Sequence, residues 1–279
     1  TFVDTGSGKL HLPAQPLFLG NAGTAMRFLT AAVATVDGTV VLDGDDYMRK
    51  RPIGPLLATL GQNGIQVDSP TGCPPVTVHG AGKVQARRFE IDGGLSSQYV
   101  SALLMLAACG EAPIEVALTG KDIGARGYVD LTLDCMRAFG AQVEAVNDTT
   151  WRVAPTGYTA HDYLIEPDAS AATYLWAAEV LTGGRIDIGV AAQDFTQPDA
   201  KAQALVTAEG GHLRPRFADG WLPKAAVLQY PNWTMPLCKV PAMARFSGKG
   251  DIKDGANWSC PANDKRLLTV GESGRQGGV

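Results

Sequence analysis

The sequence predicts an α/β protein built from repeated βαβαββ units, with an irregular C-terminal tail. Of its 279 residues, 45% are hydrophobic and 19% are charged, which is enough apolar material for a real core. Helical and strand patterns alternate along residues 1–207, as in proteins that pack helices on sheets. A similar segment also returns at a nearly constant interval, which indicates an internal repeat.

The repeated segment opens an amphipathic helix three times. Its equivalent positions are Gly23, Ser96 and Ser170, which stand 73 and 74 residues apart. After each start, apolar residues recur at the i, i+3, i+4 spacing of a helix with one buried face. These three starts predict three structural units in succession.

A second helix and two strands complete each of the first two units. The second helices are predicted to end at Gly61 and near Gly140, because glycine commonly caps a helix at its C-terminus. Alternating apolar residues predict the strands that follow, at 65–67 and 76–78 in the first unit and at 142–146 and 151–153 in the second. Each unit therefore reads strand–helix–strand–helix–strand–strand.

The composition changes near residue 207. Residues 208–279 contain ten basic and six acidic residues, whereas residues 1–207 contain 14 and 22. The tail has no sustained helical period and only short apolar runs, so we expect no packed core there. We predict a first domain at 1–162, the start of a second domain at 163–207 and an atypical tail, frame-shifted or disordered, at 208–279.

Charge and cysteine content narrow the class of partner and the compartment. A net charge of −4 with evenly mixed signs disfavours a dedicated nucleic-acid or membrane-surface binder, so small molecules are the expected partners. No apolar run reaches the length of a membrane span. The five widely spaced cysteines form no metal-binding motif, and a reducing cytoplasm is the simplest expectation.

The helix starts are candidate anion sites, because a helix N-terminus presents free N–H groups and the positive end of its dipole. Simple capping is the alternative for each start taken alone. Nearby cations favour anion binding, and the first two units supply Arg27, the run Arg49–Arg51, Lys121 and Arg126. A solvent-exposed face remains the alternative for the run.

Other candidate motifs carry less weight. The segment Gly6–Lys9 lacks the residues of a phosphate-binding loop, and the four histidines are too scattered for a metal-hydrolase motif. Glu166 and Asp168 are candidates for a pair of acid–base carboxylates, although helix capping by Asp168 is the better interpretation.

Four segments together resemble the 5-enolpyruvylshikimate-3-phosphate synthase family. They lie in order and with family-like spacing through about residue 205: Leu19–Arg27 (LGNAGTAMR), Met48–Gly54 (MRKRPIG), Ser96–Tyr99 (SSQY) and Tyr163–Ser170 (YLIEPDAS). The resemblance implies the enolpyruvyl transferase fold, with two domains of three βαβαββ units each. It also implies transfer of the enolpyruvyl group of phosphoenolpyruvate to shikimate 3-phosphate in aromatic amino acid biosynthesis, by a cytoplasmic monomer without a cofactor.

The resemblance also assigns substrate-binding residues by matched position. Shikimate 3-phosphate is expected at Ser96, Ser97 and Gln98, with Tyr128 lining that site. Phosphoenolpyruvate is expected at Asn21, Gly23 and Arg51, with Gln98 between the two ligands.

The family's acid–base motifs do not occur in this sequence. Its N-terminal Lys-Ser-x-x-Arg motif and the second-domain groups that transfer protons are missing, so catalytic residues stay unassigned. We therefore expect an incomplete chain that is inactive alone. Two alternatives remain, a non-catalytic module that binds an anionic small molecule and an enzyme that transfers enolpyruvyl to a UDP-amino sugar.

Overall fold

The computed structural model describes residues 10–120, 126–182 and 186–206, and the pairs 229–230, 233–234, 257–258 and 268–269. The chain divides into two compact units, Thr1–Tyr163 and Leu164–Val279. Most of the predicted tail, like Lys121, lies outside the described residues.

The first compact unit contains two βαβαββ repeats, as predicted. The first repeat consists of β1 (Leu17–Phe18), α1 (Gly23–Ala32), β2 (Asp37–Asp43), α2 (Gly54–Gln62), β3 (Gln66–Asp68) and β4 (Val76–Ala81). The second repeat consists of β5 (Arg88–Asp92), α3 (Ser97–Ala107), β6 (Ile114–Thr119), α4 (Arg126–Ala138), β7 (Val143–Asn147) and β8 (Thr150–Val153). Short 3₁₀ turns follow α1 at Val33–Thr35 and precede α2 at Met48–Lys50.

The two repeats have the same sheet topology. The strand orders are β1-β2-β4-β3 and β5-β6-β8-β7. In each sheet the first two strands run parallel and the other neighbours antiparallel, with Val40 opposite Val78 in one sheet and Val116 opposite Trp151 in the other. The repeat inferred from helix starts is therefore confirmed as a repeat of topology for the first two units.

The second helices of the two repeats end in the same way, which corrects one prediction. Gly140 follows α4 with φ +86°, and its N–H and that of Ala141 bond to carbonyls of the last helical turn, at 3.0 and 2.9 Å. Gly61 does not have this role, because α2 continues to Gln62. Gly64, with φ +81°, ends α2 instead, and its N–H and that of Ile65 make the equivalent pair of hydrogen bonds. The residue that ends the helix in this way needs a left-handed backbone conformation, and glycine adopts that conformation without a Cβ clash.

Helix α3 lies at the centre of the first unit. Nine of its eleven residues are buried, including Leu103 and Leu104 with no exposed surface. A helix that is apolar on all sides needs neighbours on all sides, and α3 packs on both α1 and α4. Each fully buried leucine contributes about 1.5–3 kcal/mol of transfer free energy. This packing fixes the start of α3 beside the start of α1.

The second compact unit begins with the third predicted helix. Helix α5 (Ala169–Thr182) packs through Ala172 and Trp176 against Ala200, and Phe195 meets the Trp176 ring edge-on at 6.1 Å. Short 3₁₀ turns follow at Ala192–Asp194 and Pro198–Lys201, and residues 202–206 are helical. Two antiparallel pairs complete the described elements, β9 (Gln229–Tyr230) with β10 (Trp233–Thr234) and β11 (Asn257–Trp258) with β12 (Leu268–Thr269).

Among the described residues, no helix combines the length and apolar character that crossing a bilayer requires.

Candidate functional site

An open cleft lies in the first unit, between the start of α1 and the segment that leads into α2. Three buried apolar residues line it: Met26, Met48 and Ile53. Three residues of a different character, Gly23, Arg27 and Arg51, complete most of its surface. The cleft therefore has an apolar base and two guanidinium groups.

Gly23 and Arg51 are in close apposition. A Cβ built on Gly23 would lie 2.8 Å from Arg51 Nη1, closer than non-bonded atoms approach, so a larger residue would displace the guanidinium. Arg51 is exposed, and none of the ion pairs among the described residues involves it. Asn21 is exposed two residues before α1 begins. The Arg51 charge therefore lies at the helix start, and no ion pair among the described residues compensates it.

The other cations of the basic run have partners of their own. Arg49 contacts Asp43 through two hydrogen bonds, of 2.6 and 3.0 Å, and this side-chain bonding holds the pKa of Asp43 below its usual value. The Lys50 ammonium lies 5.9 Å from the Tyr47 ring centroid. Only Arg51 of the three lines the cleft.

The Gln98 side chain joins α3 to α1. Its amide oxygen accepts a short hydrogen bond from Arg27 Nη1, and its amide nitrogen donates to Thr24 Oγ1 at 2.9 Å. Since one partner is a donor and the other an acceptor, the pair specifies which end of the amide faces each of them. Gln98 is half-buried, so part of it stays accessible next to the cleft.

Tyr99 connects the same arginine to the Arg51 segment. The Arg27 guanidinium carbon lies 5.1 Å from the Tyr99 ring centroid, within cation–π range. The buried Tyr99 hydroxyl donates to the Pro52 carbonyl at 2.8 Å.

The serines and Tyr128 lie at one end of two parallel helices. Ser96 caps α3 by accepting from the Gln98 N–H at 3.3 Å, and Ser97 is 9% exposed. Because β5, β6 and β7 all run in one direction, α3 and α4 both run opposite to them. The hydroxyls of Ser101 in α3 and Thr132 in α4 are hydrogen-bonded at 2.7 Å. Ser97 and Tyr128 lie one turn earlier in these same helices. The topology therefore places Ser97 and Tyr128 at the same end of the helix pair.

The structure brings some predicted site residues together and adds others. Gly23 and Arg51 meet directly, and Arg27 links Gln98 to their cleft. The prediction omitted Thr24 and Tyr99, and it treated Arg27 only as a nearby cation. Their only signal in sequence was adjacency to predicted residues.

Arg126, another predicted cation, instead donates to the Asp148 carbonyl in the turn between β7 and β8, at 2.6 Å. This bond directs the Arg126 side chain toward the turn of the β7–β8 hairpin.

The carboxylates before α5 have separate roles. Asp168 Oδ1 accepts from the Ser170 N–H at 2.8 Å, so it caps α5 as predicted. Glu166 instead accepts hydrogen bonds from the backbone and side chains of Thr196 and Gln197. Burial alone would raise the pKa of Glu166, but these bonds outweigh it and the pKa lies below its usual value. Both carboxylates therefore make hydrogen bonds that stabilise the local structure.

The chemistry of the cleft suits an anion. Two guanidinium groups, a helix start and amide donors bind phosphate or carboxylate oxygens. None of the described residues that line it carries a carboxylate or an imidazole. Within the described ranges, no group of three or more His, Cys, Asp or Glu residues is arranged to hold a metal ion.

Comparison with known proteins points to one family. A family model described as EPSP synthase (3-phosphoshikimate 1-carboxyvinyltransferase) matches residues 1–277. A 3-phosphoshikimate 1-carboxyvinyltransferase of Rhizobium leguminosarum bv. trifolii is 66% identical over 206 residues, which cover 74% of this chain and 49% of that protein. One from Pseudomonas syringae pv. syringae is 64% identical with the same coverage.

The chain spans about half the length of the curated relatives it matches. Among solved structures, an EPSP synthase from Acinetobacter baumannii is 24% identical with a TM-score of 0.48, over 61% of this chain and 38% of that one.

Proposed function

The chain belongs to the EPSP synthase family, and we propose that it provides substrate-binding residues for enolpyruvyl transfer from phosphoenolpyruvate to shikimate 3-phosphate. One observation of the structure carries the assignment to this cleft: Arg51 is packed against the α1 start at Gly23, with Gln98 tied to the same cleft through Arg27.

Phosphoenolpyruvate is the proposed ligand of the α1 start. Its phosphate and carboxylate are both anions, and Arg51 is a planar, permanently charged donor that suits bidentate contacts with either group. Gly23 leaves room for the guanidinium and for close approach of a ligand to the backbone. Asn21, exposed just before the helix, completes this half of the proposed site.

Shikimate 3-phosphate is the proposed ligand of the α3 start. Ser96, Ser97 and Gln98 offer hydroxyl and amide donors at a helix N-terminus, where the dipole favours negative charge. Tyr128 lines this half from the parallel helix α4. Gln98 is the proposed residue between the two ligands, and the bonds of its amide to Arg27 and Thr24 on the α1 side support this position.

Binding and turnover separate in this proposal. The transfer needs proton movements at the enolpyruvyl group and at the acceptor hydroxyl, and positioned acids and bases are typically worth roughly 10²–10⁴-fold. In the part of the chain that the structure describes, the residues that line the cleft include no carboxylate or imidazole to move those protons. We therefore expect the 279-residue chain to bind the substrates and to release phosphate only at background rate.

The proposed setting is the cytoplasm, with the chain as a monomer and the two substrates as its small-molecule partners. The cysteines among the described residues, Cys73, Cys109 and Cys135, are free thiols, which suits a reducing compartment.

Calorimetry with each substrate tests the assignment. We expect Ser97→Ala plus Gln98→Ala to abolish binding of shikimate 3-phosphate while the far-UV spectrum stays unchanged. Arg51→Ala is expected to abolish phosphoenolpyruvate binding, whereas Arg49→Ala, the matched control whose charge is paired with Asp43, is expected to retain it. Unchanged affinity in the double variant would contradict the α3 assignment. Saturable phosphate release that Arg51→Ala removes would contradict the expected inactivity.

A further inference from the structure

We propose that Tyr99 is a positioning residue that holds Arg51 in place for the anion in the cleft. The inference rests on the proposed function, because it concerns the same Arg51. It starts from a contact that links the buried start of α3 to the backbone next to that arginine.

The hydroxyl of Tyr99 secures the Arg51 segment through Pro52. Proline has no N–H, so its carbonyl is its only backbone hydrogen-bonding group, and the Tyr99 hydroxyl donates to it at 2.8 Å. On either side, the Arg51 N–H bonds to the Met48 carbonyl and the Ile53 N–H to the Gly72 carbonyl, both at 2.9 Å. The Tyr99 bond completes the anchoring at the centre of this short segment.

Arg51 depends on that anchoring because its side chain has little other support. No ion pair among the described residues holds it, and its backbone is extended, with φ −90° and ψ 122°, as expected before proline. Its guanidinium nevertheless sits within van der Waals reach of Gly23. The backbone position of residues 51–52 therefore sets the region that the Arg51 guanidinium can reach.

The ring of Tyr99 has a second role that can be separated from the first. It packs under the Arg27 guanidinium at 5.1 Å, and Arg27 in turn donates to Gln98. A phenylalanine keeps this ring and removes only the hydroxyl. Tyr99→Phe therefore perturbs the Arg51 side of the cleft and leaves the Gln98 side intact.

Calorimetry on the full chain compares phosphoenolpyruvate with shikimate 3-phosphate. In Tyr99→Phe, the Kd for phosphoenolpyruvate is expected to rise roughly three- to tenfold, the equivalent of one net hydrogen bond. The Kd for shikimate 3-phosphate is expected to change less than about twofold, which is a smaller change than the loss of one such hydrogen bond would cause. Tyr99→Leu, which also removes the ring, is expected to weaken both.

Tyr158→Phe is the matched control. Tyr158 also donates its hydroxyl to a backbone carbonyl, that of Met105, at 2.9 Å and in the same compact unit. The variant loses the same kind of bond away from Arg51, so both substrate affinities are expected to stay at the wild-type value. Equal losses of phosphoenolpyruvate affinity in the two variants would show a general effect of stability and overturn the proposal.

A ligand-free measurement separates this inference from the proposed function. The NMR order parameter of the Arg51 Nε–Hε group is expected to fall in Tyr99→Phe and to stay constant in Tyr158→Phe. An unchanged order parameter in Tyr99→Phe overturns the positioning role whether or not the substrates bind. If the order parameter falls but Arg51→Ala leaves phosphoenolpyruvate affinity unchanged, the positioning role stands and the proposed ligand assignment fails.

Discussion

Replacing Gly23 by alanine changes helix stability and ligand affinity in opposite directions. The new Cβ would lie 2.8 Å from Arg51 Nη1, and an optimal contact needs about 3.5 Å or more, so the guanidinium must retreat by roughly 0.7 Å. Arg51 is able to do so, because its side chain is exposed and the contact is at its flexible end. The fold is therefore expected to tolerate the change while the charge is displaced.

The two magnitudes follow from these contacts. Alanine in place of glycine stabilises a helix interior by about 0.5–1 kcal/mol, and less is expected at the first residue of α1. A hydrogen bond to a charged group contributes about 1.5–3 kcal/mol, so losing one aligned contact from Arg51 weakens phosphoenolpyruvate binding roughly tenfold or more. Shikimate 3-phosphate affinity is expected to be nearly unchanged.

Calorimetry and urea unfolding test both effects together. Gly61→Ala is the matched control, because Gly61 lies inside α2 and a Cβ there would meet no atom within 4 Å outside the neighbouring backbone of its own helix. It is expected to stabilise the chain by about 0.5–1 kcal/mol without changing either affinity. If Gly23→Ala binds phosphoenolpyruvate as tightly as Gly61→Ala does, the apposition of Gly23 and Arg51 does not position the ligand.

Two further predictions concern stability. Because the folded pKa of Glu166 lies below its unfolded value, its stabilising effect is present above the unfolded pKa, about 4.3, and is lost as the pH falls through the folded pKa. Amide-exchange protection of Thr196 and Gln197 is thus expected to drop across that acid range in the wild type. In Glu166→Gln the protection is expected to start lower and to stay constant with pH. Parallel pH profiles in the two proteins would contradict the role of the carboxylate. Gly140→Ala and Gly64→Ala each place alanine at positive φ, at a cost of about 1–2 kcal/mol, measurable as a lower urea midpoint. Gly140→Ala should lower the urea midpoint more than Gly64→Ala does, because its Cβ would lie 2.5 Å from Thr159 Oγ1. Adding Thr159→Ala to Gly140→Ala should remove this difference between the midpoints. Equal midpoints of the two single variants would refute the reasoning.

The sequence by itself determined the repeated architecture. Helix starts near Gly23, Ser96 and Ser170, the βαβαββ order and the cap at Asp168 depend on periodicity and on groups within a few residues of each other, so they are legible along the chain. The segments Leu19–Arg27 and Met48–Gly54, which carry the family resemblance, also contain the residues that line the cleft.

Only the tertiary structure decided which of those residues lie together. The run Arg49–Arg51 looks uniform in sequence, yet Arg49 is paired with Asp43 and Arg51 lies against Gly23, because the chain turns between them. Tyr99 fits the apolar period of α3, and its contact with Pro52 crosses 47 residues of sequence. Such contacts depend on the packing of separate helices and turns, which no local pattern encodes.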